Sequence, residues 1–223
     1  RLLNKFNNLP FFVLVHDYQR SGSDFFNSLI DGHPEILQLT GSCAYDFVSF
    51  YNKWKDNEFK QIALMATIDP YLSPLFDSRL RISERWDMLG ENKNKFFRVN
   101  KRKFIQFFDQ IMEHSNVDLK SVFIAFNLAY ALTCGRDITH VKVCFFHLHH
   151  LSNWRLYKKH FPNSKLLVTT RDPREGIVSY NFHRPKNDYF YLDPRPYARA
   201  LKAYKNVFLN SDFKEKYFIS LKD

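Results

Sequence analysis

Apolar positions along the chain switch between two periods. Residues 11–15 read FFVLV, an unbroken apolar run suited to a buried strand. Arg20-Ser21-Gly22-Ser23 follows, and then Phe25, Phe26, Leu29 and Ile30 fall on one face at helical spacing. This predicts a strand, a tight loop and a helix N-terminus. The next hundred residues read as helical. Ser42 is placed to cap a helix carrying Phe47, Val48 and Tyr51, a second helix covers 58–67, and Pro70 and Pro74 interrupt the pattern. Helical spacing resumes over 78–89 and ends at Gly90. Asn100 caps a helix with Phe104, Phe107, Phe108, Ile111 and Met112 on one side, and Asp118 opens another that stops at Gly135. Strands and helices then alternate: strand 141–146, helix 152–160, strand 165–170, helix 173–182, helix 194–209 and strand 217–221. The order predicts an α/β fold, a parallel sheet flanked by helices, with a helical insert between the first and second βα units. Ligands on such sheets sit at the C-terminal strand ends, so the loops after 11–15, 141–146 and 165–170 should open on one edge.

Composition narrows the class. The 223 residues suit a single domain over 1–223, and 45% hydrophobic with 25% charged residues reads as globular. No apolar run approaches the ~20 residues of a transmembrane helix. No signal peptide opens the chain, and the missing initiator Met reads as a piece trimmed from something longer. Cys43, Cys134 and Cys144 are scattered and form no C-x-x-C pair, which argues against a disulfide framework or a zinc site. A reducing, cytoplasmic location is the simplest expectation, with a lumenal domain cut from its anchor as the alternative. The net charge of +10 fits either a solvated basic surface or a polyanionic partner. Lys101-Arg102-Lys103 and Lys158-Lys159 lie on predicted helices and read as solvated faces.

Two loops carry the chemistry. In Arg20-Ser21-Gly22-Ser23 a cation, a glycine and two hydroxyls precede a helix N-terminus, where N–H groups and the helix dipole suit a phosphate. The Walker pattern G-x-x-x-x-G-K-[ST] is absent. The second loop follows strand 165–170. Arg171 stands at the strand end and Ser179 two helical turns along, so guanidinium and hydroxyl can clasp one phosphate from two directions. Taken alone, R-D-P is an ordinary strand-to-helix turn and Ser179 an ordinary helix residue.

The pair together resembles the sulfotransferase family that uses 3′-phosphoadenosine 5′-phosphosulfate (PAPS), in its carbohydrate-type and bacterial members. That family carries [RK]-x-G-[ST] in its N-terminal loop and R-x-P-x-x-x-x-x-S later; here these read Arg20-Ser21-Gly22-Ser23 and Arg171-Asp172-Pro173 to Ser179. The flanks Asp31-Gly32-His33-Pro34-Glu35-Ile36 and Phe161-Pro162-Asn163-Ser164-Lys165 also resemble it. The likeness covers the opening ~35 residues and about 141–184, roughly a third of the chain. It implies a P-loop-like, single sulfotransferase-like domain. It also implies a nucleotide held by Arg20, Ser21, Gly22, Ser23, Asp24, Phe25, Arg171 and Ser179, with 3′,5′-ADP as product and no metal. Many relatives have a hydroxyl residue where this chain has Asp24, and relatives usually continue past this chain's last strand into a lid over the nucleotide.

Sulfuryl transfer, like phosphoryl transfer, asks for alignment and charge neutralisation. Arg20 is the candidate to stabilise charge on the leaving nucleotide, acting electrostatically because guanidinium stays protonated. An acceptor hydroxyl needs a base, and the resemblance puts a histidine just after strand 141–146: His147 first, then His149, which shares its face if the strand continues. His147, His149 and His150 also fit metal ligation, a helix start or plain packing; His16 and His33 read as structural, with His33 capping a turn. The insert over 45–136 and the loop 183–191 are candidate acceptor walls, although aromatic residues at helical spacing more often form core. The expected acceptor is a carbohydrate or glycolipid hydroxyl, with no nucleic-acid partner. The alternatives are a non-catalytic nucleotide- or polyanion-binding module and a nucleotide-dependent kinase. The kinase lacks its lysine and magnesium carboxylate here.

Overall fold

A computed structural model describes residues 2–16, 22–38, 43–80, 89–148, 157–172, 174–176, 178–179, 195, 198, 202, 205, 209 and 214–220, with 16 and 43–46 described by backbone alone. In chain order the elements are α1 (Leu2–Asn7), β1 (Phe11–His16), α2 (Ser23–Ile30), β2 (Ile36–Gln38), α3 (Cys43–Trp54), α4 (Phe59–Ala66), 3-10 turns at Ser73–Leu75 and Ser78–Leu80, α5 (Lys101–Met112), α6 (Leu119–Thr133), β3 (Val143–His147), β4 (Lys165–Thr170) and β5 (Lys216–Ser220). The strands form one parallel sheet in the order β2-β3-β1-β4-β5. This is the predicted α/β fold with a helical insert. The chain divides into two compact units, one of Arg1–Leu9 with Gly32–Cys144 and one of Pro10–Asp31 with Phe145–Asp223.

The first unit is organised around α6. Asp118 starts the helix by accepting from the Ser121 amide at 3.0 Å and from its hydroxyl at 2.7 Å. From Leu119 to Ala131 nearly every residue is buried, as expected of a helix apolar on all sides. Phe126 meets the rings of Phe47 and Phe104 edge-on at 5.4 and 5.1 Å, and Phe76 stacks edge-on against Phe104 at 4.8 Å. Two polar side chains of α6 are satisfied within the core: Tyr130 donates to the Leu75 carbonyl and Asn127 to that of Phe123, both at 2.7 Å. Gly135, at φ +77°, turns the chain out of the helix. In α5 the predicted cap forms, with Asn100 Oδ1 accepting from the Lys103 amide at 3.1 Å. Lys101 departs from a purely solvated reading: its ammonium donates to the Thr67 carbonyl at 2.8 Å, while Arg102 and Lys103 are exposed.

The helix expected over 78–89 is corrected at both described ends. Ser78–Leu80 forms a 3-10 turn, and Leu89 pairs with Lys95 in an antiparallel bridge. The cause is Asp77. Its carboxylate accepts from the Arg79 amide at 3.2 Å and from the Arg79 guanidinium, while Ser78 Oγ accepts from the Phe97 amide at 3.0 Å. These bonds, with the Asp77↔Arg98 bridge, tie residues 77 and 78 to 97 and 98 and favour the tight turn over an α-helical start at Ser78. Residues 81–88 and the Ser42 cap lie outside the described residues.

The second unit holds β1, α2, the end of β3, β4 and β5. The pairing of β1 with β4 runs from Phe12↔Lys165 to His16↔Thr169, and that of β4 with β5 from Leu166↔Lys216 to Thr170↔Ser220. Val13, Leu14 and Val15 are fully buried, which is why β1 reads as unbroken hydrophobic rather than alternating. Phe146 packs on Tyr157 and Phe161, and Phe11 on Phe161 at 4.8 Å. Phe145, on the opposite face from Phe146 by strand alternation, meets Phe26 of α2 at 6.2 Å. Of the helices predicted beyond β4, residues 174–176 and 178–179, and then 195, 198, 202, 205 and 209, are helical. Of the helix expected over 152–160, Tyr157 is helical and 158–160 form a turn, and the remainder lies outside the described residues.

Candidate functional site

Parallel strands end on one edge, and in the second unit that edge collects His16 of β1, His147 of β3 and Thr170 of β4. The amide of Leu148 donates to the Leu14 carbonyl at 2.8 Å, which carries the pairing of the chain after β3 with β1 up to this edge.

At the first loop, Gly22 sits at φ 84°, ψ 16°, the left-handed region that a side chain resists. It stands at the N-cap of α2 and offers no side chain to cap the helix, and its carbonyl accepts from the Phe26 amide at 3.0 Å. The first-turn amides of α2, at the positive end of its dipole, thus receive no capping bond from a Gly22 side chain. Ser23 is buried, whereas Asp24 is exposed and Phe25 is 59% exposed. Asp24 therefore lies in solvent at the helix N-terminus, where a carboxylate is favoured by the dipole. Arg20 and Ser21 lie outside the described residues, as do His149, His150 and Pro173.

At the second loop, Arg171 leaves β4 and is already in an ion pair. Its Nε donates to Glu175 Oε2 at 2.6 Å, with side chains 25% and 43% exposed. Beside it Asp172 accepts from the Arg174 amide at 2.8 Å and from Arg174 Nε at 3.0 Å, with a further bond from Nη2. The Asp172 carbonyl accepts from the Gly176 amide at 3.1 Å, the first helical bond after the strand. Ser179, half-buried, lies two turns along this helix. The Arg174 guanidinium and amide, bonded to the Asp172 carboxylate, hold its pKa down at about 2. Sequence reasoning paired Arg171 with Ser179 and overlooked Glu175. The R-x-x-x-E spacing, which puts the two side chains on one face of a helical turn, was the available signal.

His147 ends β3 and is 4% exposed. It alternates with Phe146 and so shares the face of Phe145, the face that α2 covers through Phe26. The structure thus puts a buried imidazole at the end of β3, on the α2 side of the sheet. His33 takes the structural role expected of it: its Nδ1 accepts from the Glu35 amide at 3.2 Å and its carbonyl from the Ile36 amide at 3.1 Å.

The insert offers fewer acceptor walls than its aromatic content suggests. Phe47, Phe50, Phe76, Phe104, Phe108, Phe123 and Phe126 are all buried in the core of the first unit. Among the described residues no cluster of three or more His, Cys, Asp or Glu is disposed to hold a metal ion, and no helix is long and apolar enough to cross a membrane. No protein-family model matches the chain, and no curated protein matches it significantly.

The depressed Asp172 pKa fixes a pH dependence. A carboxyl whose folded pKa lies below its unfolded value of 3.8 contributes stability that is present above 3.8 and lost as pH falls through about 2. Carboxyl-resolved NMR titration of the wild type should give a value near 2 for Asp172, and Arg174→Ala should return it toward 3.8. A value unchanged by the substitution would show that another group sets it.

Proposed function

We propose that this chain is a sulfotransferase that takes a sulfuryl group from 3′-phosphoadenosine 5′-phosphosulfate to a hydroxyl of an acceptor, with carbohydrate or glycolipid favoured. The observation that supports this reading most is the direct pairing of β1 with β4, neighbouring parallel strands that lead in sequence to the glycine turn and to Arg171 respectively. A ligand with two separated phosphate groups suits two anion-accepting turns so disposed. The donor supplies a sulfuryl group on an activated phosphate. The chain's part is to hold its two ends and to accept the acceptor's proton. The amides at the start of α2, with Gly22 allowing close approach, suit the 5′ end, with Arg20 assigned to the charge that develops there. Arg171 and Ser179 suit the 3′-phosphate, and His147 suits the acceptor's proton, with His149 as the other candidate.

Discrimination between nucleotides tests the reading. Calorimetric titration should show 3′,5′-ADP binding far more tightly than 5′-AMP or ATP. Arg171→Ala should weaken 3′,5′-ADP by about tenfold or more, the loss of a charge-assisted bond, and leave 5′-AMP nearly unchanged. Equal losses for both nucleotides would contradict the assignment of Arg171. Transfer of labelled sulfate from PAPS to a panel of glycans, lipids and small alcohols separates an enzyme from a binding module. In that assay His147→Ala should lower turnover by roughly 10²–10⁴-fold with nucleotide affinity retained. Undiminished turnover would remove His147 as the base.

A further inference from the structure

The ion pair between Arg171 and Glu175 carries an inference that rests on the nucleotide reading and adds a residue to it. Arg171 ends a strand and has a long side chain with many rotamers, which a ligand would otherwise have to order on binding. In the structure Glu175 Oε2 takes Nε at 2.6 Å. A guanidinium is planar, so a carboxylate on Nε fixes both the plane and the direction in which the Nη atoms point. The pair could instead act as a competitor, with Glu175 occupying the place of the phosphate. Three observations favour holding over competing. The bond is made to Nε across the strand-to-helix turn, from the residue after β4 to one in the first turn of the helix, so the turn sets its geometry. The Glu175 side chain is 43% exposed, so solvent and salt screen its charge from a neighbouring anion. Asp172, the other carboxylate of the turn, is held by Arg174 and does not draw Arg171 away.

We propose that Glu175 is the positioning residue for Arg171: its carboxylate grips Nε and aims the Nη edge of the guanidinium at the 3′-phosphate of the nucleotide. Glu175 touches no ligand itself. It acts by ordering Arg171 before binding, so its loss is felt only by ligands that carry a 3′-phosphate.

The test is titration of 3′,5′-ADP and 5′-AMP into the wild type and into Glu175→Ala, Glu175→Gln and Glu175→Asp, with circular dichroism as a check on folding. Glu175→Ala should weaken 3′,5′-ADP about three- to tenfold, the loss expected when one long side chain must be ordered on binding, and should leave 5′-AMP unchanged. Glu175→Gln keeps an oxygen acceptor for Nε and should match the wild type. Glu175→Asp keeps the charge but shortens the reach and should repeat the loss. Unchanged or tighter 3′,5′-ADP binding in Glu175→Ala, in a protein whose wild type prefers 3′,5′-ADP over 5′-AMP, overturns the role of Glu175 and leaves the nucleotide reading standing. A Glu175→Gln variant as weak as Glu175→Ala also overturns positioning through this bond. A wild type with no preference for 3′,5′-ADP overturns the nucleotide reading, and the role of Glu175 falls with it.

Discussion

The parallel pairing of β1 with β4 is the constraint from which the rest follows. With Phe12 opposite Lys165 and His16 opposite Thr169, the two strands finish level, and the segments that follow leave from the same edge. Neighbouring strands lie about 4.8 Å apart, so the ends of β1 and β4 are close in space although ~150 residues separate them in sequence. The same pairing explains the apolar run at 11–15: a central parallel strand is covered on both faces and has no solvent side on which to place polar residues. A one-residue slip would send Val13 and Val15 to the opposite face and would misplace both turns relative to each other.

Charge at the second turn is arranged in two nested pairs, Arg171 with Glu175 and, inside it, Asp172 with Arg174. Both are partly or largely exposed, and an exposed i to i+4 pair adds only about 0.3–0.5 kcal/mol to a helix. They are therefore too weak to explain the fold. Their consequence is directional. Arg174, with its side chain 89% exposed, occupies Asp172, and Glu175 bonds Arg171, whose side chain is 25% exposed, so the cation after β4 keeps a defined orientation. The first turn works differently: Gly22 supplies a backbone shape and the α2 dipole supplies the field, with no side-chain charge of its own among the described residues except Asp24, which is exposed.

Elements with strong local signals were legible. The caps at Asn100 and Asp118, the apolar spacing of α5 and α6, and the unbroken runs of β1 and β4 each announce themselves within a short window. The 3-10 turn at Ser78–Leu80 was not legible, because Asp77 binds Arg98 and Ser78 reaches Phe97, contacts that no helical window contains. β2 was missed because three residues are too few to show a period, and α1 because six residues carry little more. In the site, the positions of His147 at the end of β3 and of Arg171 directly after β4 followed from strand order alone. The partner of Arg171 did not, since the motif directs attention to a phosphate and away from a carboxylate four residues on.

The most direct test is a crystal structure of the chain with 3′,5′-ADP. The 5′-phosphate is expected against the amides that begin α2 at Gly22 and Ser23, and the 3′-phosphate within hydrogen-bonding distance of the Arg171 guanidinium and the Ser179 hydroxyl, with Glu175 still on Nε. A nucleotide bound away from the ends of β1 and β4, or one that reaches only one of the two turns, would contradict the account.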